Sequence, residues 1–277
     1  GFVTKLAIDG ESLEYSTYLK GSGVTVLYDI AVDSTGRAYV AGYTFANDYP
    51  TTSDAFQLSN NSQSAMGIIT ILSPDGSTLE YSTYLGGTTL DIIFNIAIDS
   101  DNNIYVAGET ESIDFPVTPG AYQPIYGGGI RDLFCTKLYP GNSELIYSTY
   151  IGGAGYEKYF SMALDAQDQV WLVGWSVQRS IPPTPWIIPS GNESGAFVTL
   201  LSKNGDKLIL CYYLIGPATY GTTIAVGDDG CIYVAGTNEG DYSTTSGVFQ
   251  PLYGGGGDSF IQRNIFATYS SVMLKKI

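Results

Sequence analysis

The stretch LEYSTYLG at residues 79–86 recurs in nearly the same letters at three other places, and this recurrence constrains the fold more than any other feature. Residues 13–19 read LEYSTYL, residues 145–152 read LIYSTYIG, and residues 208–214 are a worn copy, LILCYYL. A chain assembled from copies adopts only an architecture in which those copies stack. The apolar residues that lead successive copies, Phe2, Ile68, Phe134, Phe197 and Phe260, lie 66, 66, 63 and 63 residues apart.

Each copy reads as two hairpins. Residues 1–6 and 13–19 form an outer pair around the Ile8-Asp9-Gly10-Glu11 turn; residues 29–32 and 38–42 form an inner pair around Asp33-Ser34-Thr35-Gly36. The inner strands are short, apolar and rich in small residues, which suits burial on both faces. A loop rich in Pro, Thr and Ser then runs from Phe45 to about Ala65, and the cycle restarts. No helical period appears anywhere, so each unit is one small twisted antiparallel sheet of four strands. Such a sheet cannot hide both faces alone, but radial stacking covers them. The expectation is an all-β fold, a β-propeller of four-stranded antiparallel blades. A flat β-solenoid fits less well, because its coils are shorter than about 30 residues.

The strand count is uneven. The sequence holds one outer pair and then four sets of inner plus outer strands, which makes four complete blades and a half blade at the N-terminus, five blade positions in all. We expect a single β-propeller domain over residues 1–277, with repeats at 1–66, 67–133, 134–196, 197–259 and a partial one at 260–277. An orphan outer pair presents an open edge, and open edges recruit strands. The half blade therefore reads as the mark of a fragment of a longer chain or as an assembly joint.

The compound pattern FVTKL, YSTYLGG, IAVDS, YVAG, DFPVTPGAYQ and YGGG resembles the SBBP β-propeller repeat family, and the resemblance spans essentially the whole chain. What it implies is a propeller in an exported or surface-associated bacterial or archaeal protein, from a family mostly without an assigned reaction. The third long loop and the last outer pair depart from the pattern.

Composition narrows the chemistry. Acidic residues outnumber basic ones 27 to 12, a net charge of −15 that repels nucleic-acid phosphates and anionic membranes. No apolar run reaches the roughly 18 residues of a membrane helix. The absence of histidine removes Ser-His-Asp and Cys-His catalysis and most zinc sites. The glycine clusters at 127–129 and 254–257 precede no helix, so they read as turns and not as phosphate cradles. Cys135, Cys211 and Cys231 have no metal-site spacing and read as small buried residues, with one disulfide plus an odd thiol as the alternative. Two sequons, at Asn60 and Asn192, sit in loop-like stretches and point toward an exported glycoprotein.

Three groups of residues invite a functional reading. Asp33, Asp99, Asp165 and Asp228 recur at the inner-hairpin tips, where an aspartate accepts hydrogen bonds from its own turn. Among them Asp99, Asp101 and Asn103 alternate oxygen-bearing side chains as the start of a calcium loop does, without the glycine and closing glutamate of an EF-hand. Calcium is the one cofactor the sequence offers. Tyr15, Tyr18, Tyr81, Tyr84, Tyr147, Tyr150 and Tyr213 sit in outer strands and read as packing between sheets. The long loops carry Phe45, Tyr49, Phe115, Tyr122, Tyr126, Trp175, Trp186, Tyr242, Phe249 and Tyr253 among Pro, Thr and Gln, a composition that suits sugar rings or a partner protein.

The leading expectation is a non-enzymatic extracellular or cell-surface module that binds a protein partner or self-assembles through the incomplete blade, with neither nucleic-acid binding nor membrane insertion. The alternatives are a carbohydrate-binding propeller that uses the loop aromatics, and a carboxylate-dependent polysaccharide lyase or hydrolase.

Overall fold

The computed structural model describes residues 1–62, 64–141, 144–177, 180–181, 194–214, 219–240 and 244–264. An outer pair, β1 (Phe2–Leu6) and β2 (Leu13–Tyr18), comes first. The first four-stranded sheet holds β3 (Thr25–Val32), β4 (Ala38–Thr44), β5 (Met66–Leu72) and β6 (Leu79–Leu85); the second holds β7 (Asp91–Ile98), β8 (Ile104–Thr110), β9 (Asp132–Leu138) and β10 (Leu145–Ile151). The third holds β11 (Glu157–Leu164), β12 (Val170–Ser176), β13 (Gly195–Leu201) and β14 (Leu208–Tyr213). Last come β15 (Tyr220–Val226), β16 (Ile232–Asn238) and β17 (Asp258–Asn264). The strand expected at 271–277 lies outside the described residues. Every pairing joins chain neighbours antiparallel, and each inner hairpin shares a sheet with the outer pair that follows it. These are the blades of a β-propeller, without an α-helix among the described residues. Where the sequence suggests one domain, the chain divides into two compact units, Gly1–Ile151 and Gly152–Ile277.

The glycine of each YVAG string has a specific cause. In β3 the register slips between Leu27, opposite Gly42, and Asp29, opposite Ala41, so that Tyr28 is the extra residue of a β-bulge. The same slip leaves Phe94 extra in β7, Phe160 in β11 and Thr222 in β15. Each bulge pushes a carbonyl toward the partner strand. A Cβ at Gly42, Gly108 or Gly236 would collide with the carbonyl oxygen of Val26, Ile92 or Tyr220 respectively, and one at Gly174 would crowd that of Lys158. Only glycine lets the bulge form.

The recurring YSTYLG strand has its cause in the loop that precedes it. β6 is a sheet edge, and residues 50–57 run along it: Thr52 N donates to Ser82 O at 3.0 Å, and Tyr84 N donates to Gln57 O at 3.1 Å. Gln57 N in turn donates to Thr83 Oγ1 at 2.9 Å, and Tyr84 Oη donates to Ala46 O at 2.9 Å. On β10 the bonds recur as Thr118 N to Ser148 O, Tyr150 N to Gln123 O, Gln123 N to Thr149 Oγ1 and Tyr150 Oη to Ser112 O. Serine, threonine and tyrosine each hold the loop at a different point, and the loop closes an edge that would otherwise be open. In the worn copy Cys211 and Tyr212 stand where serine and threonine stand elsewhere, and Tyr213 Oη still donates to Ile181 O at 2.9 Å.

Apolar faces meet within each unit. Tyr39, Ile69, Ile71 and Tyr81 pack with Ile93, Ile96, Ile104 and Val106 in the first unit, and Trp171, Val173, Val198 and Leu200 pack with Ile224, Ile232, Val234 and Phe260 in the second. Each such side chain stabilises by roughly 1.5–3 kcal/mol when fully buried. Asp29 ties the first two sheets together by accepting from Asn95 Nδ2 at 2.8 Å and Ile96 N at 3.0 Å. All three cysteines are buried, and burial pushes the thiols of Cys135 and Cys211 up to about 12.

The bulge argument makes a direct prediction. Gly108→Ala should cost about 3 kcal/mol, the upper end of ordinary overpacking, because the colliding atom is backbone and cannot swing away. Urea denaturation measures it, and a loss under about 0.5 kcal/mol would contradict the argument.

Candidate functional site

The inner-hairpin tips form structural turns. Asp33 accepts from Thr35 N (2.9 Å), Thr35 Oγ1 (2.7 Å), Arg37 N (3.0 Å), Arg37 Nε (2.6 Å) and Tyr39 Oη (3.2 Å). Burial alone would raise its pKa, but the hydrogen bonds from Thr35 and Arg37 outweigh that and hold it well below the carboxylate range. An aromatic donor six residues on recurs: Tyr105 Oη reaches Asp99 at 3.2 Å, and Trp171 Nε1 reaches Asp165 at 3.2 Å. The fourth tip corrects the sequence alignment. Its turn closes from Gly227 N to Cys231 O, so Gly227 and not Asp228 holds the equivalent place. Asp229 takes over part of the role, accepting from Cys231 N at 3.0 Å and Arg263 Nη2 at 2.7 Å.

The calcium reading of Asp99, Asp101 and Asn103 does not fit this geometry. Asn103 turns its Nδ2, a donor, to both Asp99 oxygens at 3.0 and 2.8 Å, and Asp101 contributes its backbone N–H to Asp99 Oδ1. Lys137 Nζ lies 3.1 Å from Asp99 Oδ2 and 4.6 Å from the Tyr105 ring centroid, so an ammonium already neutralises the carboxylate. Among the described residues no three His, Cys, Asp or Glu side chains converge as a metal site.

The loop aromatics divide. Tyr49 and Phe115 are core residues, a correction to their reading as surface: Tyr49 Oη shares a hydrogen bond with Thr70 Oγ1 at 2.8 Å, and Phe115 lies 4.3 Å from Phe134 between ring centroids. They anchor the loops that cover β6 and β10. Tyr126 is half-buried against Tyr150 at 5.7 Å, and Tyr122 is half-buried. Phe249 is exposed, while Tyr253 is half-buried and accepts from Gly257 N at 3.1 Å. Trp186, Tyr242 and the sequon at Asn192 lie outside the described residues. Asn60 points its amide inward, donating to Ala46 O at 3.4 Å while its Oδ1 accepts from Ser62 N, so a glycan on that nitrogen would break the Ala46 contact.

An exposed aromatic ridge arises instead from the bulges. Tyr28 packs against Phe94 at 4.8 Å and Tyr43 at 5.8 Å, and Tyr43 meets Phe45 edge-on at 5.8 Å, with Tyr28 and Phe45 about half exposed. Tyr28 is the residue that the bulge inserts in β3, and Phe94 is its counterpart in β7. The signal was available, since Tyr28, Phe94 and Phe160 share the 66-residue spacing of the first copies.

Two clefts lie in the first unit. One of about 260 Å³ is lined by Phe56, Gln57, Asn61, Gly86, Gly87, Thr88, Asp114 and Pro116. The other, of about 170 Å³, contains Asp54 and Glu80, and Arg37 Nη1 sits 3.6 Å from Glu80. Beside the first cleft, Asp91 is buried and accepts from Thr110 Oγ1 (2.5 Å), Gly87 N (2.8 Å) and Ser112 Oγ (3.0 Å). Burial pushes its pKa to about 7 despite these bonds, and the charge of Asp114 adds to the rise. Glu157, at the same place in β11, is raised by burial too.

Because Asp91 holds its proton more tightly folded than unfolded, its share of the stability declines as pH rises from about 4 to about 7 and is level above that, on the order of 4 kcal/mol in all. The difference in unfolding free energy between wild type and Asp91→Asn, followed by denaturation at several pH values, should trace that decline. A difference independent of pH between 4 and 8 would show Asp91 to be ionised throughout.

No curated protein sequence matches the chain. Among solved structures, hydrazine synthase of Kuenenia stuttgartiensis overlays with a TM-score of 0.42 and 10% identity, covering 85% of this chain and 69% of the other. A protein of unknown function from Bacteroides caccae overlays at 0.36 and 9%, covering 86% and 80%. A xylan beta-1,4-xylosidase from Bacillus halodurans overlays at 0.39 and 11%, covering 90% of this chain but only 43% of the xylosidase. These overlays are loose, and no activity transfers through them. The family comparison is specific: the Beta-propeller repeat SBBP matches residues 14–50 and 80–116, each running from the outer Tyr-Ser-Thr-Tyr strand through the bulged inner hairpin into the edge-covering loop. The chain therefore carries the SBBP β-propeller repeat.

Proposed function

We propose that this chain is a non-enzymatic structural or adhesive module of the cell exterior that associates with protein through its β1–β2 pair. One observation carries the reading: the strand that every complete sheet hides is bare in β2. Tyr18 is 78% exposed, whereas its counterparts Tyr84 and Tyr150 are 0% and 1% exposed. Phe2, Leu6 and Leu13 are exposed beside it. A row of unpaired backbone groups flanked by apolar side chains is a template for association. An exterior location is supported by the family resemblance, and no helix among the described residues is long and apolar enough to cross a membrane. A carboxylate-dependent lyase or hydrolase would need two acids facing one cleft, and in the cleft that contains Asp54 and Glu80 the latter is ion-paired to Arg37 at 3.6 Å.

Sedimentation over rising concentration tests the proposal. The wild type should associate reversibly, and Tyr18→Glu should weaken that association at least tenfold. A chain that stays monomeric at every concentration and degrades a polysaccharide would overturn the reading.

The aromatic ridge favours glycan binding as a second reading, since ring faces beside hydroxyls suit stacking on sugars. A glycan array should then show binding that Tyr28→Ala removes; silence across the array would dispose of it.

A further inference from the structure

The cleft of about 260 Å³ lies where three repeated strings meet: Phe56 and Gln57 from the loop that covers β6, Gly86 and Gly87 from the end of YSTYLGG, and Asp114 and Pro116 from the next loop. Each wall is held in place. The Gln57 backbone bonds to Thr83 Oγ1 at 2.9 Å and to Tyr84 N at 3.1 Å, and its Oε1 accepts from Gly86 N at 3.2 Å. Asp114 adjoins the buried Phe115, and its Oδ1 accepts from Thr88 N at 3.0 Å and Thr88 Oγ1 at 3.1 Å. The glycines let these walls approach, since a Cβ at Gly87 would collide with Asp114 Oδ1 and one at Gly86 with Asp91 Oδ2.

The bonds that hold the walls leave other polar atoms of the lining unused. Among the described residues Asp114 Oδ2 and Asn61 Nδ2 have no hydrogen-bond partner, while Asn61 Oδ1 accepts from Ser59 Oγ at 3.3 Å. Asp48 makes the same two bonds to Ser22, so holding this turn is common to the repeat; what the cleft adds is an aromatic ring, a proline and an amide in one lining with the second oxygen. Phe56 packs on the core with part of its surface and lines the cleft with the rest.

The lining selects a chemistry. Its described residues include neither lysine nor arginine, so an anion finds no counter-charge there, and its one carboxylate falls short of the roughly six to eight oxygens that calcium takes. Asp91 adds nothing to the lining: it is buried beside the cleft, with both oxygens engaged by Thr110, Gly87 and Ser112. An acceptor and a donor beside an apolar ring suit a pyranose, whose adjacent hydroxyls give and take a hydrogen bond while its C–H face lies on the aromatic. Clefts for drug-sized ligands measure about 300–1,000 Å³, so a space of about 260 Å³ admits a single ring.

We infer that the cleft lined by Phe56 and Asp114 binds one neutral pyranose unit of a glycan, with Asp114 Oδ2 accepting from one hydroxyl, Asn61 Nδ2 donating to its neighbour, and Phe56 and Pro116 beneath the C–H face. The inference extends the glycan reading to a place that shares no residue with the Tyr28 ridge, and it is independent of association through β1–β2.

Titration of the whole chain with methyl glucoside, methyl galactoside and methyl mannoside, followed by saturation-transfer NMR, tests this. At least one glycoside should bind saturably. Asp114→Asn should weaken that binding about tenfold, as loss of a hydrogen bond to a charged group does, and Asn61→Ala, at an exposed position, roughly threefold, while Tyr28→Ala leaves it unchanged. Silence with all three glycosides, or binding that both cleft variants retain in full, would overturn the inference. So would binding of calcium chloride or methylammonium that Asp114→Asn abolishes in a chain that ignores the glycosides. If Tyr28→Ala removes glycoside binding and the cleft variants keep it, the inference falls and the ridge reading stands; if the glycosides and a glycan array are both silent, both fall.

Discussion

A sheet of four strands leaves two faces and two edges to be satisfied, and this chain settles the outer edge with its own connecting loop. That contact explains why two distant strings, YSTYLG and the proline- and threonine-rich loop, recur together: the threonine and second tyrosine side chains of one hydrogen-bond to backbone atoms of the other. The faces are satisfied by the neighbouring sheet, through apolar strands that are buried along their whole length. Neither solution works for a lone copy. The repeat is therefore stable as part of a series, and the outer pair at residues 2–18 exposes side chains whose counterparts the later sheets bury.

Much of this was legible in the sequence because repetition turns a weak local signal into a strong one. Strand identity, the joining of inner pairs to the outer pairs that follow, and the tip aspartates could all be read from alignment of the copies. What escaped was what depends on register. The bulge inserts one residue per inner strand, Tyr28 in β3 and Phe94 in β7, and shifts the pairing register beyond it. In the fourth tip an alignment by letters picks Asp228, while the backbone bonds pick Gly227. The calcium reading rested on oxygen-bearing side chains in alternation, whereas in the fold Asn103 turns its amide nitrogen to Asp99 and Lys137, 34 residues further on, supplies the positive charge. Tyr49 and Phe115 looked like surface aromatics, since nothing local distinguishes a ring that binds from one that anchors a loop.

Electrostatics pull in two directions within one acidic chain. At the tips, the donors around Asp33 and Asp99 lower both carboxyl pKa values from the ordinary range. At the other end of the inner hairpins, Asp91 and Glu157 are buried among hydroxyls and resist losing a proton. The second repeat thus stabilises a carboxylate at Asp99 and a carboxylic acid at Asp91, by a donor-rich turn in one case and desolvation in the other.

The three cysteines bear on how the chain tolerates its surroundings. Each is buried, and in β9 and β14 burial raises the thiol pKa so that the sulfur stays protonated. The blades are held by the burial and hydrogen bonding of their strands, with Cys135 and Cys211 packed inside as apolar side chains. Only a blade that has come apart exposes a reactive sulfur, which makes Cys135 and Cys211 sentinels of local opening, one in each unit.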